Sequence, residues 1–135
     1  MSPDWLEAKE WTMVIPKKVD LKLLKNTAYH CEVVINVGST MAFDFVQYNK
    51  PAVYINYDVP EASGWSVEMI YNFQHFRSMP NKQSVLWWNN KNDIIAIITQ
   101  VINKEVSIEY TKLWFDKIVE NAGDSSHHIF NKIIE

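Results

Sequence analysis

A glycine, two hydroxyl residues and one carboxylate lie close together in the stretch GSTMAFD at residues 38–44. Gly38 would let the backbone approach a ligand, and Ser39 and Thr40 would add hydroxyl donors at the start of a helix. The first N–H groups of such a helix have no partner within it and attract anions. Asp44 follows Thr40 at helical spacing, so both side chains fall on one face. These residues could hold a phosphate at Ser39 and Thr40 and the paired hydroxyls of a ribose at Asp44.

A purely structural interpretation of the same residues stays open. Ser or Thr at a helix start commonly caps the helix, and Asp in the first turn interacts favourably with the helix dipole without any ligand. The stretch lacks the repeated glycines of a dinucleotide fingerprint and the Gly-Lys pair of a P-loop. The motif by itself therefore favours neither interpretation.

The segments on both sides of this turn predict an α/β fold. Hydrophobic periodicity predicts four strands, at residues 12–16, 32–36, 52–57 and 84–89. It also predicts five helices, at residues 19–30, 39–49, 92–103, 107–123 and 125–135. Strands that alternate with helices imply crossover connections and a parallel sheet. The turn at Gly38 then lies at the carboxyl end of a strand, where open α/β sheets bind ligands.

Individual residues refine these predicted elements. Asp20 is expected to cap the first helix, and Gly123 is expected to end the fourth. The helix at residues 92–103 is apolar nearly all round and is expected to be well buried. The aromatic segment at residues 59–83 is long for a simple connection, so a short helix or a binding loop is expected there.

Length and composition indicate one ordered domain. The chain has 135 residues, of which 47% are hydrophobic, and a net charge of −3, which suits a protein with a hydrophobic core. Mild acidity without a run of Lys or Arg argues against nucleic acid as the main partner. The single cysteine, Cys31, cannot form an internal disulfide and is expected to be a buried thiol. Without a signal peptide or an apolar span, a cytoplasmic location and no membrane insertion are expected.

Other reactive side chains give weaker signals. Arg77 could meet a phosphate or carboxylate beside His75, although an exposed arginine without a ligand is the commoner case. His127 and His128 are adjacent and would diverge on a helix, so they predict no shared metal site. We expect no metal and no resident cofactor.

The spacing from Gly38 through Asp44 to Pro51 resembles the donor-site segment of the C-terminal half-domain of GT-B glycosyltransferases. In that superfamily a glycine-containing turn opens a helix, an acid follows, and a proline precedes the next strand. The resemblance is closest to bacterial polymer-forming transferases, including CDP-glycerol glycerophosphotransferases. Their pattern is similar to VVINVGSTMAFDFVQYNKPAVYINYD, residues 33–58 of this chain.

The resemblance implies a single Rossmann-like domain over residues 1–135. It would be a partial GT-B C-terminal half, with a three-layer arrangement of parallel sheet and flanking helices and a helical C-terminus. Gly38, Ser39 and Thr40 would cradle the donor diphosphate, and Asp44 would bind the ribose.

The same resemblance implies a donor substrate and a partner domain. The donor would be a nucleotide sugar or a CDP-alcohol, used to build a cell-surface polysaccharide such as capsule, lipopolysaccharide or teichoic acid. Glycosyl transfer is preferred over glycerol-phosphate transfer. Tyr57, Asp58, His75 and Arg77 are candidate contacts in the cleft with an N-terminal acceptor half, which usually supplies the catalytic base. Since the chain has room for one half only, we expect a C-terminal fragment, inactive alone, with no catalytic residue assigned. In the full-length protein, peripheral contact with the inner membrane face is compatible with such acceptors.

Two other functions stay open. A UDP-sugar 2-epimerase shares the GT-B architecture, but it needs acidic and histidine residues on both halves. A non-catalytic α/β module would instead use exposed aromatic residues to dock a partner.

Overall fold

A computed structural model describes residues 16–59 and 64–134 of the chain. Three short strands in these residues form one sheet, in sequence order: β1 (Val34–Asn36), β2 (Ala52–Ile55) and β3 (Leu86–Trp88). Both neighbouring pairs are parallel. Seven α-helices accompany them in the described part: α1 (Lys18–His30), α2 (Met41–Val46), α3 (Val67–Tyr71), α4 (Gln74–Arg77), α5 (Ile94–Ile102), α6 (Glu109–Ile118) and α7 (Ser125–Ile134). The predicted α/β class and parallel sheet are confirmed.

Helices connect the strands as a parallel sheet requires. α2 joins β1 to β2, and the short helices α3 and α4 lie between β2 and β3. The expected short helix within residues 59–83 is therefore confirmed. The strand predicted for residues 12–16 lies mostly outside the described residues.

Predicted elements are mostly present but shorter. α2 was expected over residues 39–49, and it ends at Val46, just before Asn49 takes a left-handed φ of 58°. α1 matches its prediction closely. Asp20 is the third residue of this helix and takes part in capping its N-terminus. The carboxylate of Asp20 accepts a hydrogen bond of 2.9 Å from the Lys17 N–H, which closes the first turn.

Burial of α5 differs from expectation. Ile97 and Val101 are buried, but Ile95 and Ile102 are 78% and 68% exposed. The prediction of a well-buried helix was wrong because α5 packs against the rest of the fold, including β3, along one stripe only. Apolar composition all round a helix does not by itself bury it.

Two further local expectations are wrong. α6 ends at Ile118 because Val119 leaves the helical conformation, well before Gly123. Cys31 is exposed rather than buried. It directly follows α1 and has an extended backbone conformation, so the helix ends before it. Its N–H still donates to the Thr27 carbonyl.

The core is aromatic and centres on Tyr54 in β2, whose side chain is completely buried. Rings from α3, α4, β3 and α6 surround it: Tyr71, stacked at 5.7 Å, and Phe76, Trp87 and Trp114, edge-on at 5.9 to 6.5 Å. Aromatic pairs in these geometries add to the free energy gained by burying apolar area. One cluster of rings thus joins the sheet to three of the helices.

Gly38 is the residue at which the turn after β1 packs most closely against this core. Its φ is +57°, and a Cβ there would lie 2.5 Å from Cγ2 of Ile70 and 3.2 Å from the ring of Phe76. A larger residue would therefore meet both an unfavourable backbone conformation and a steric clash. Glycine at this position allows α3 and α4 to cover the turn.

Replacing Gly38 by alanine is expected to destabilise the fold by about 2–4 kcal/mol, because left-handed strain and overpacking add. Gly123→Ala is the matched control, since Gly123 also has a positive φ, of +89°, but no atom of the described residues outside its chain neighbours lies within 4 Å of its missing Cβ. The control should cost only about 1 kcal/mol. Urea unfolding measures both, and equal losses for the two variants would contradict the packing role of Gly38.

Candidate functional site

The turn at residues 37–40 lies at the carboxyl end of β1, as predicted, but most of its hydrogen-bonding groups have protein partners. The Ser39 N–H donates to Oδ1 of Asn36 at 2.9 Å, and the Met41 N–H donates to Oγ of Ser39 at 3.2 Å. The backbone of Gly38 faces the phenol of Tyr71; burial raises the pKa of this phenol, and the Gly38 backbone lowers it to a smaller extent. The turn is therefore held by its own contacts, and the half-buried Ser39 hydroxyl already accepts a hydrogen bond from the protein.

Thr40 and Asp44 differ from Ser39, because they line a common cavity of about 360 Å³. The Thr40 side chain is exposed and makes no capping hydrogen bond. The prediction that Thr40 and Asp44 share one face of α2 is confirmed. The opposite wall comes from α6 and the segment after it, including Phe115, Gly123 and Ser125. We call this space the α2 cavity.

Asp44 is half-buried in the α2 cavity, and burial raises the pKa of its carboxyl above the ordinary value. In the described part of the chain, no Lys, Arg or His nitrogen lies within 4 Å of this carboxylate. A partly desolvated carboxylate without a cation partner accepts hydrogen bonds from any donor that reaches it, neutral hydroxyls included, since its lone pairs have lost water. Paired hydroxyl groups of a ligand would supply such donors.

Tyr57 and Asp58 follow β2 and take part in contacts of the fold. Oδ1 of Asp58 accepts a hydrogen bond of 2.8 Å from the Val67 N–H, which fastens the start of α3. The Tyr57 ring packs edge-on against Trp88, with 5.5 Å between ring centroids. Neither side chain lines the α2 cavity.

His75 and Arg77 lie in α4, also away from the α2 cavity. The His75 carbonyl accepts a hydrogen bond of 3.2 Å from Nε1 of the buried Trp114, so its backbone belongs to the core. Arg77 is exposed and borders a smaller cavity of about 230 Å³ that Lys82 also lines. Of the predicted site residues, the fold thus brings together Thr40 and Asp44, with Gly38 and Ser39 in the turn before them.

Sequence reasoning missed three asparagines at the carboxyl ends of the strands. Asn36 is the last residue of β1, and Asn56 and Asn89 directly follow β2 and β3. Nδ2 of Asn56 donates to Oδ1 of Asn89 at 2.7 Å, which ties the two strand ends together. Nδ2 of Asn36 is buried and has no hydrogen-bond partner among the described residues. The signal was present in the sequence, since VIN, YIN and WWN each end an apolar run with a carboxamide.

No family model matches the chain, and neither a curated protein nor a solved structure shows significant similarity to it. Within the described ranges, no three His, Cys, Asp or Glu side chains are grouped so as to hold a metal ion. Among the described helices, none combines the length and apolar character needed to cross a membrane.

Asp44→Asn is expected to raise the free energy of unfolding slightly at neutral pH, by less than about 1 kcal/mol because solvent still screens this half-exposed group. The raised pKa means that, at a pH between the unfolded and the folded pKa values, the folded state holds a proton which the unfolded state has released. The charged carboxylate therefore costs stability above its folded pKa, and the cost disappears below the unfolded value.

Thermal unfolding of wild type and Asp44→Asn across pH 3–7 measures this difference. The gain should be present near pH 7 and vanish towards pH 3. Asp116→Asn, at an exposed position on α6, serves as the control and should show no such gain. A wild type more stable than Asp44→Asn at neutral pH would mean that the carboxylate has a stabilising partner in the fold.

Proposed function

We propose that the α2 cavity binds the ribose of a nucleotide-activated donor, with Asp44 as the acceptor of its paired hydroxyls. The observation that carries the proposal is that Thr40 and Asp44 line one cavity, in which the carboxylate has no cation partner among the described residues. A carboxylate in such surroundings accepts hydrogen bonds from vicinal hydroxyls, as the acid of dinucleotide sites does.

The protein would make fewer contacts with the phosphate groups of the donor than the sequence motif indicates. The N–H groups of Ser39 and Met41 already donate within the turn, and the Gly38 backbone faces the Tyr71 phenol. Thr40 is the residue of the motif that offers an exposed hydroxyl next to the cavity. Most of the binding free energy would then come from the ribose and the apolar wall at Phe115, with a single hydroxyl contact to phosphate.

Such a site fits the donor half of a GT-B-type glycosyltransferase, with a Rossmann-like sheet as its frame. In this proposal the chain acts with an N-terminal acceptor half in the synthesis of a cell-surface polysaccharide. The donor is a nucleotide sugar, with a CDP-alcohol as the alternative. The chain alone binds the donor and does not catalyse transfer, because the base belongs to the acceptor half.

A non-catalytic interaction module is the second candidate, and one observation favours it. Helix α7 has no buried residue, and it presents an exposed apolar face formed by Ile129, Phe130, Ile133 and Ile134. An apolar face of this kind is typical of a surface that contacts another protein. In that case nucleotides would not bind.

Calorimetric titration of the chain with UDP, CDP and GDP tests the proposal. We expect saturable binding of at least one nucleotide, and Asp44→Ala should weaken it by about 1–3 kcal/mol because hydrogen bonds to a charged acceptor are lost. Thr40→Val should weaken it by about 0.5–1.5 kcal/mol.

Asp116→Ala is the matched control, because Asp116 is an exposed acid on α6 that does not line the cavity. Its affinity should equal that of the wild type. Absence of binding by all three nucleotides at millimolar concentration, or undiminished binding by a folded Asp44→Ala variant, would refute the proposal.

A further inference from the structure

We propose that a second cavity, at the carboxyl ends of β2 and β3, binds an uncharged saccharide. This edge cavity has a volume of about 620 Å³, large enough for a sugar ring or two, and Asn56 and Asn89 lie at its rim. It opens where parallel α/β sheets bind ligands. The proposal goes beyond the nucleotide site, since Thr40 and Asp44 do not line this cavity.

Carboxamides supply the polar contacts of the edge cavity. Asn56, Asn72 and Asn89 line it, and all three side chains are exposed. The pair formed by Asn56 and Asn89 uses one donor and one acceptor, at 2.7 Å, which leaves the Asn56 carbonyl oxygen and further N–H groups for a ligand. A carboxamide both donates and accepts, and so does a hydroxyl group. The set therefore suits a ligand rich in hydroxyls.

Aromatic rings supply the apolar wall. Nε1 of Trp87 donates to the Lys82 carbonyl at 2.6 Å, and the Tyr71 hydroxyl donates to the Ile55 carbonyl at 2.5 Å. Burial raises the pKa of Tyr71 to about 12, so that this hydroxyl stays protonated. Because the polar atoms of both rings are engaged, the rings offer apolar surface to the cavity. The C–H face of a sugar ring is a suitable partner for such a surface.

The charges at the rim indicate an uncharged ligand. Glu68 and Lys82 both line the edge cavity, and neither forms an ion pair within 4 Å among the described residues. An anionic or a cationic ligand would be attracted by one of these two charges and repelled by the other, so that a ligand charge brings no net gain here. A neutral polyol can accept from the ammonium and donate to the carboxylate at once.

Titration of the ¹⁵N-labelled chain with methyl glycosides of glucose, galactose, mannose and N-acetylglucosamine tests the inference. We expect at least one glycoside to shift the Trp87 indole N–H and the Asn56 and Asn89 side-chain amide signals saturably. Asn56→Ala and Asn89→Ala should each lower the affinity for that glycoside by about threefold to tenfold, because one or two hydrogen bonds are lost. Both positions are exposed, and the spectrum itself reports whether each variant is folded.

Asn92→Ala is the matched control, because Asn92 is an exposed asparagine near β3 that does not line the cavity. It and Asp44→Asn should bind the glycoside as the wild type does, which separates this inference from the nucleotide proposal. The inference is overturned if no glycoside gives a saturable shift at these signals. It is also overturned if the folded Asn56→Ala and Asn89→Ala variants bind unchanged, or if uridine, cytidine or guanosine shifts these signals and no glycoside does.

Discussion

The hydrogen bond from the Tyr54 hydroxyl to the Ser39 carbonyl, at 2.7 Å, holds the functional turn to the core. Tyr54 is completely buried in the central strand, and burial raises the pKa of its hydroxyl, so the donor stays protonated. The same ring contacts aromatic residues from four other elements. The position of α2, and with it that of Thr40 and Asp44, therefore depends on the packing around one tyrosine.

This packing also determines what the turn can bind. A turn that had free N–H groups would attract phosphate strongly, but here the N–H groups of Ser39 and Met41 are already used to fix its conformation. What remains open to a ligand is the face of α2 beyond the turn. The carboxylate of Asp44 on that face is partly desolvated, and this raises its pKa. The raised pKa reflects the free energy that is needed to keep the charged form of the acid there. Acids retained at such a cost are common at functional sites.

Much of the fold follows from local sequence signals, whereas burial and side-chain partners do not. Alternation of apolar runs with helical segments is enough to predict the parallel sheet, and the spacing of Thr40 and Asp44 is enough to place them on one face. Periodicity could not show that the Ser39 N–H and hydroxyl would be engaged by Asn36 and Met41, because these bonds depend on the backbone conformation of the turn. It also could not show that α5 would be covered along one stripe only, since that depends on which elements lie beside it. The strand-end asparagines Asn56 and Asn89 were visible in sequence, but their pairing needs the sheet register.

The most direct test of the central claim is a map of backbone amide shifts on addition of UDP, CDP or GDP to the ¹⁵N-labelled chain. If the α2 cavity is the nucleotide site, the largest shifts occur at Thr40 and Asp44, together with Gly123 and Ser125 on the opposite wall. Shifts confined to other surfaces, or no shift with any nucleotide, would contradict the account.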